Sequence, residues 1–306
     1  MNEVSTAQIR QQVNNEPLVT IGLPTYNRPV GLQKCLQTIL QQTYSNLEII
    51  ISDNCSTDKG VQQIIQEHAA KDNRIKHFRQ AENLGLEENF NFVFEKASAH
   101  YFTWMSDDDY FDDNYVAECV QFLETNSDHV LCSGIAKYYS GDQFLFNEKM
   151  FRVDQETSFT RLFTYFSKVK KNGNFYGVFR NGLVKKKPIG VHVGCDWSFM
   201  AKLAVLGKLS YVNTTNYHRS LEGNSGTRKK MVKKFRVNRF KNIFFETYSA
   251  FEISTHIFND PAVGISFNYI QRQLIVTMIF FQINYRLFMK FVKKTIRMNR
   301  MEPIKR

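Results

Sequence analysis

The sequence predicts an α/β fold, a mostly parallel sheet flanked by helices, and three observations point to it. Short apolar runs that stop abruptly alternate with segments of helical periodicity about ten residues long, the pattern of strands joined by covering helices. Polar clusters follow the strand-like runs at 25–28, 53–54 and 107–109, where the C-terminal strand ends of such a sheet would meet a ligand. A hydrophobic fraction of 43% over 306 residues supplies a sizeable core and excludes global disorder.

The fold is expected to begin at Pro17. LVTIGLP (18–24) is a buried strand ended by Pro24, and 30–42 is a helix with Leu32, Cys35, Leu36, Ile39 and Leu40 at helical spacing. NLEIIISDN (46–54) is a second strand stopping at Asp53, and Asp58 is placed to cap the helix over 61–70. IKHFRQ (75–80) reads as strand, 87–97 as helix, and YFTWM (101–105) as a buried strand that runs into Ser106, Asp107, Asp108 and Asp109. A helix over 115–126 and a strand over 129–139 follow. Beyond residue 140 the pattern loosens: a helix over 159–169, a strand-then-turn or short helix over 175–186, and a helix from Asp196 to Leu206 with Asp196 near its start. The polar stretch 213–230 reads as a mobile loop, and 231–256 and 262–300 as helices. No internal repeat is seen.

The formal charge of +11 is unevenly spread. Residues 1–227 hold 23 basic and 25 acidic side chains, a net of −2, whereas 228–306 hold 17 basic and 4 acidic, a net of +13. The chain therefore divides into a polar N-terminal arm (1–16), a nearly neutral body (17–227) and a helical basic region (228–306). Five scattered cysteines with no Cys-x-x-Cys unit argue against a disulfide framework or a cysteine zinc site and fit a reducing cytoplasm. The first 16 residues lack the apolar stretch of a secretory signal.

Three consecutive aspartates repel one another unless something positive meets them, and a bound divalent cation removes that penalty. Oxygen ligands of this kind suit Mg²⁺ or Mn²⁺. Asp53, closing an apolar strand, is placed to bond a ribose hydroxyl or base edge. Neither Gly-x-Gly-x-x-Gly nor Gly-x-x-x-x-Gly-Lys-Ser/Thr occurs, so nucleotide phosphates would be held chiefly through metal.

PTYNR (24–28), SDNCSTD (52–58), ENLG (82–85), SDDD (106–109) and GCDW (194–197), in this order and spacing, resemble the family 2 glycosyltransferases over about 17–227. The resemblance implies a GT-A fold, Rossmann-like, and inverting transfer of a sugar from a nucleoside-diphosphate sugar, UDP-linked donors being the commonest. It places Pro24, Thr25, Tyr26 and Arg28 along the nucleotide, Asp53 at its base or ribose, and Arg79, Asn83 and Gly85 beside the diphosphate. Asp107 and Asp109 fill an Asp-x-Asp, with Asp109 as direct ligand of Mn²⁺ or Mg²⁺. Ser106 stands where the commoner Asp-x-Asp-Asp has its first aspartate. Either Asp107 and Asp109 are the functional pair, or Asp108 and Asp109 act without the leading carboxylate. Asp196 matches the catalytic base, expected to keep a low pKa, and Trp197 a wall of the acceptor pocket. His218 and Arg219 are expected on a loop over the donor, Arg219 at the diphosphate and His218 towards diphosphate or acceptor.

The implied acceptor is a hydroxyl of a glycan or lipid-linked saccharide in bacterial surface polysaccharide synthesis. The basic region fits that setting: Arg286, Lys290, Lys293 and Arg297 fall on one helical face, with Leu287, Phe288, Phe291, Val292 and Met298 largely elsewhere. Such a helix suits the surface of an anionic membrane, here the cytoplasmic face of the inner membrane. LIVTMIFF (274–281) is too short to span. Two other readings use the same features. A nucleic-acid-binding protein would use the basic region, but the acidic cluster would repel a phosphate backbone. A catalytically inactive scaffold would not need the acidic residues that are intact here.

Overall fold

The computed structural model describes residues 16–184, 187–221 and 228–299. The predicted N-terminal arm lies outside them except at its end, as do 222–227 of the predicted loop and the side chains of the predicted cationic face at 286–297.

Strands β1 (Val19–Thr25), β2 (Leu47–Asp53), β3 (Ile75–Arg79) and β4 (Tyr101–Trp104) alternate with helices α1 (Pro29–Leu40), α2 (Lys59–Ala69) and α3 (Leu86–Glu95). They pair in parallel in the order β3-β2-β1-β4, as the continuous apolar runs of β1, β2 and β4, buried on both faces, should, with β3 as a more exposed edge. β1 and β2 are wholly buried, and Asp58 caps α2 by accepting from the Gly60 amide at 2.9 Å.

Past β4 the chain adds β5 (Tyr110–Phe111), α4 (Tyr115–Thr125), β6 (His129–Ser140), β7 (Gln143–Asn147), α5 (Ser158–Lys168), β8 (Val178–Arg180), α6 (Cys195–Leu206) and β9 (Lys208–Ser220). The sheet continues β4-β8-β6-β9-β5, with β7 on the edge of β6. β8 runs antiparallel to both β4 and β6, β9 parallel to β6, and β5 antiparallel to β9. Parallel pairing is thus confined to the first half and to β6–β9. β5 and β7 escaped the sequence reading because one is two residues long and the other is an exposed hairpin arm.

The predicted loop at 213–230 is corrected by the structure. Residues 213–220 are the second half of β9, held along β6 through Tyr139–Ser220 and against β5 through Tyr110–His218. Thr215, Tyr217 and His218 are buried against their neighbours while Asn213 and Thr214 stay exposed, so composition alone misread the segment.

The core centres on an aromatic cluster under β4 and β8. Trp104 stacks on Phe175 with centroids 5.2 Å apart and donates its indole N–H to the Phe90 carbonyl at 3.1 Å. Phe94, Phe102, Phe179 and Phe199 close around it. The C-terminal region comprises α7 (Arg228–Lys234), α8 (Arg239–Ile243), α9 (Phe245–Phe258), α10 (Pro261–Gly264) and α11 (Tyr269–Asn299). Ile253 and Ile257 of α9 and Ile275 and Ile279 of α11 belong to the same buried cluster as the sheet, and Lys202 of α6 pairs with Asp260 at 2.8 Å.

Candidate active site

The C-terminal ends of β1, β2 and β4 bring three loops together, as a parallel sheet must. Asn27, in the left-handed region at φ 54°, locks the first two: its side-chain oxygen accepts from the amides of Thr57 (2.8 Å) and Asp58 (3.1 Å). The third is the acidic turn 106–109. Gly31 lets α1 approach it, since a Cβ there would sit 2.2 Å from the Asp107 carbonyl oxygen.

Each aspartate of the turn has different partners. Asp107 accepts from the Thr25 hydroxyl (2.8 Å), the Tyr26 amide (3.3 Å) and Arg28 (3.2 Å). Asp108 accepts from Arg28 and the Ser106 hydroxyl, both at 2.5 Å, and is the most exposed of the three. Asp109 lies deepest, taking the Ser220 amide at 2.8 Å and the Tyr217 hydroxyl. Burial pushes the Asp107 carboxyl up to about 6, against the pull of Arg28 and Thr25. Burial and then the neighbouring Asp108 charge push Asp109 up to about 7, with Arg219 and Tyr217 opposing.

These residues line a cavity of about 270 Å³. Of the residues singled out from sequence, Pro24, Thr25, Tyr26, Arg28, Asn83, Asp107, Asp108, Asp109 and Arg219 all reach it. Asn54 of the polar cluster at 53–54 lines it too, as do Asn89, Tyr176 and Ser220, which were missed. Arg219 lies between the rings of Tyr138 (5.4 Å) and Tyr176 (5.0 Å) and donates to the Tyr138 hydroxyl at 3.2 Å. Its Nε is 3.9 Å from Asp109 and has no hydrogen-bond acceptor among the described residues, leaving a buried donor for an incoming anion.

A second cavity, about 160 Å³, shares Leu86, Phe90, Tyr176 and Arg219 with the first and contains Asp196. Gly194, at φ 79°, turns the chain into α6 so that Asp196 stands in its first turn. Its Oδ2 accepts from the Asn172 amide at 3.1 Å, and the Asn172 oxygen accepts from Tyr165 at 2.9 Å. Asn172, buried and itself left-handed at φ 60°, was missed; the Asn-Gly pair at 172–173 was the available signal. Burial raises the Asp196 pKa, and the Asn172 hydrogen bond and Arg219 only partly offset it. The expectation of a low pKa is therefore corrected: Asp196 sits among Phe90, Phe175, Tyr176 and Ile189, where charge is poorly solvated.

Five of the predicted residues stand apart from these cavities. Asp53 is fully buried and saturated by Arg79 (2.5 Å), Gln62 (2.6 Å) and the Ser56 amide (2.9 Å). Arg79 is its cross-strand partner on β3, so the pair braces the loop behind the wall, and its neighbour Asn54 faces the cavity instead. His218 is turned away because β9 alternates: Tyr217 and Arg219 face Asp109, while His218 stacks on Tyr110 at 4.3 Å and bonds Asp112 at 2.7 Å. Trp197 packs half-buried against the core rather than lining the Asp196 cavity. Gly85 caps α3 beside the wall, its carbonyl accepting from Asn54 at 3.0 Å.

Among the described residues no three His, Cys, Asp or Glu side chains converge on one point. The oxygen donors at 107–109 nevertheless fit a hard cation that takes one or two carboxylates from protein and its remaining oxygens from phosphate and water.

Known proteins resemble this chain over the same elements. The Glycosyl transferase family 2 model matches residues 20–192. A Campylobacter jejuni GalNAc(5)-diNAcBac-PP-undecaprenol beta-1,3-glucosyltransferase is 29% identical over 172 residues, 56% of this chain and 54% of that protein. Glycosyltransferase GlyA of Streptococcus pneumoniae is 37% identical over 98 residues, 32% of this chain and 14% of that one. The chain thus matches at most about half the length of these two relatives. The structure of S. aureus TarS 1-349 in complex with UDP-GlcNAc superposes with a TM-score of 0.63 at 16% identity, covering 87% of this chain and 72% of that one. Mannosyltransferase PcManGT from Pyrobaculum calidifontis, in complex with GDP-Man and Mn²⁺, gives 0.52 at 16% identity, covering 87% and 80%. At such identities these structures speak for the fold alone.

Proposed function

The chain belongs to glycosyl transferase family 2, and we propose on that premise that it transfers a sugar, with inversion, from a nucleoside-diphosphate sugar to a hydroxyl of a glycan or lipid-linked acceptor. One observation carries the reading: Asp196 and the aspartates 107–109 occupy adjoining cavities that share Tyr176 and Arg219 as their common wall. Donor and acceptor can then meet at the wall, with the base on one side and the diphosphate on the other.

In this account the acceptor oxygen attacks the anomeric carbon, the bond from that carbon to the diphosphate oxygen breaks, and the nucleoside diphosphate leaves with the electron pair. Asp196 takes the acceptor proton, and its raised pKa makes it a stronger base than an exposed aspartate. Asn172 holds the carboxylate in place. Arg219 offers its unpaired Nε to the diphosphate, and Arg28 keeps Asp107 and Asp108 oriented. Asp109, with Asp107 or Asp108, would hold a divalent cation, which when bound supplies positive charge to the departing diphosphate.

UDP is the favoured nucleotide on the family resemblance, while the two bound donors named above carry different bases. A lipid-linked acceptor in bacterial surface polysaccharide synthesis is supported by the undecaprenol-linked substrate in the Campylobacter relative's name. The test is a panel of UDP-, GDP- and dTDP-sugars scored for release of nucleoside diphosphate with and without Mn²⁺. Release from one donor class, dependent on Mn²⁺, is expected; no release from any donor would count against catalysis.

A further inference from the structure

We propose that α8 and the first turns of α9 form a docking surface for an anionic lipid bilayer, which sets the mouth of the Asp196 cavity at the headgroup region. Phe240 of α8, Phe244 at the junction, and Tyr248 and Phe251 of α9 follow one another at steps of four, four and three, with Tyr248 half-buried among them. Phe240 is 71% exposed and Phe251 65%, Phe244 and Ile243 are exposed beside them, and the Phe240 and Phe244 rings touch at 5.6 Å. Single exposed apolar side chains are ordinary, but a run of aromatics in water marks a surface that meets something.

The charge around that run says what it meets. Residues 228–245 hold eight basic residues and no acidic one, and over the whole of 228–252 the eight face only Glu246 and Glu252. Lys233, Arg236, Arg239 and Lys241 are exposed, and the Lys241 ammonium lies 4.5 Å over the Tyr248 ring. Basic side chains interleaved with exposed Phe and Ile match a surface of phosphate headgroups over acyl chains. A second copy of this face would bring like charges together, and none of the described helices is long and apolar enough to cross a membrane.

The outward face of α11 provides a contrast. Ile270, Leu274, Phe281 and Tyr285 are exposed there, but residues 273–285 contain no charge at all, so nothing in that stretch draws it to an anionic surface. The link from the docking face to the site is α7, whose Met231 and Lys234, with Phe235 just after it, line the cavity that holds Asp196. A lipid-linked acceptor could then reach the base without leaving the interface. This orientation rests on the reading of Asp196 above; the lipid affinity does not.

The experiment is flotation of the full chain with vesicles of phosphatidylglycerol and phosphatidylethanolamine, against vesicles of phosphatidylcholine alone. Binding to the anionic vesicles only, weakening with salt, is expected. Arg239→Gln with Lys241→Gln should weaken it about thirtyfold, at about 1 kcal/mol per charge. Phe240→Ser with Phe244→Ser should abolish flotation, and Leu274→Ser with Phe281→Ser should leave it intact, with Mn²⁺-dependent donor hydrolysis unchanged in all three. Equal binding to phosphatidylcholine, or wild-type flotation of the Phe240→Ser/Phe244→Ser pair, overturns the proposal. So does a dimer seen by light scattering, or oligonucleotide binding, that these substitutions remove while no vesicles are bound. Should donor hydrolysis be absent but flotation follow the expected pattern, the enzymatic reading fails and the docking surface stands.

Discussion

The two cavities place the same residue type in opposite surroundings. The larger one surrounds three aspartates with two arginines, two tyrosines, hydroxyls and backbone amides. The smaller sets one aspartate among mainly aromatic and aliphatic side chains, held by the Asn172 amide and by backbone N–H groups, with the Glu87–Lys234 pair and Arg219 also lining it. In the first, charge is dense and largely compensated, which suits a charged ligand. In the second, poor solvation lifts one carboxylate so that it can accept a proton. Burial raises the pKa in both, but only the first gathers three carboxylates in one turn, where a cation and a diphosphate can meet them.

The largest effect that would break this contrast, matched only at Asp196, is at Asp109. Asp109→Asn should lower turnover by about 10³-fold and remove Mn²⁺-dependent nucleotide binding, measured by calorimetry. Near-normal turnover would place the cation elsewhere. Next is Asn172→Gly, which keeps the left-handed backbone and removes the side chain that bonds both Asp196 and Tyr165. The active form of Asp196 is the carboxylate, so activity falls as pH drops through its raised pKa. Losing the hydrogen bond that lowers that pKa should move the acid limb of the kcat profile upward and reduce kcat about tenfold, with donor KM little changed. An unmoved acid limb would make Asn172 purely structural.

The smallest effect concerns cation and proton in the larger cavity. With Asp107 near 6 and Asp109 near 7, protons occupy the turn below those values and a cation must displace them. Mn²⁺ with nucleoside diphosphate should therefore raise Tm by about 3 °C or more at pH 8 and by under about 1 °C at pH 5.5. Equal shifts at both values would mean that these carboxylates are not the ligands.

Much of this was legible in the sequence, for identifiable reasons. β1, β2 and β4 are apolar runs buried on both faces, and their abrupt ends place Thr25, Asn54 and Asp107 where a parallel sheet presents its loops. Asp196 could be read because a motif and a helix start coincide there. The failures share one cause, side-chain direction. Asp53 ends its strand as expected, yet register with Arg79 turns it behind the wall. His218 and Arg219 are adjacent, and β9 sends them to opposite sides, which no loop assignment could anticipate. Asn172 and Tyr176 reach the cavities from a 3₁₀ turn that local composition marks only as a turn.

Asp196 carries the division of labour between the two cavities. Asp196→Asn keeps the size of the side chain and an oxygen for Asn172, so the variant should fold, retain nucleotide and donor binding within about twofold, and lose 10³-fold or more of single-turnover transfer. Transfer within tenfold of wild type, with donor binding intact, would contradict the assignment of the base and with it the division of labour between the two cavities.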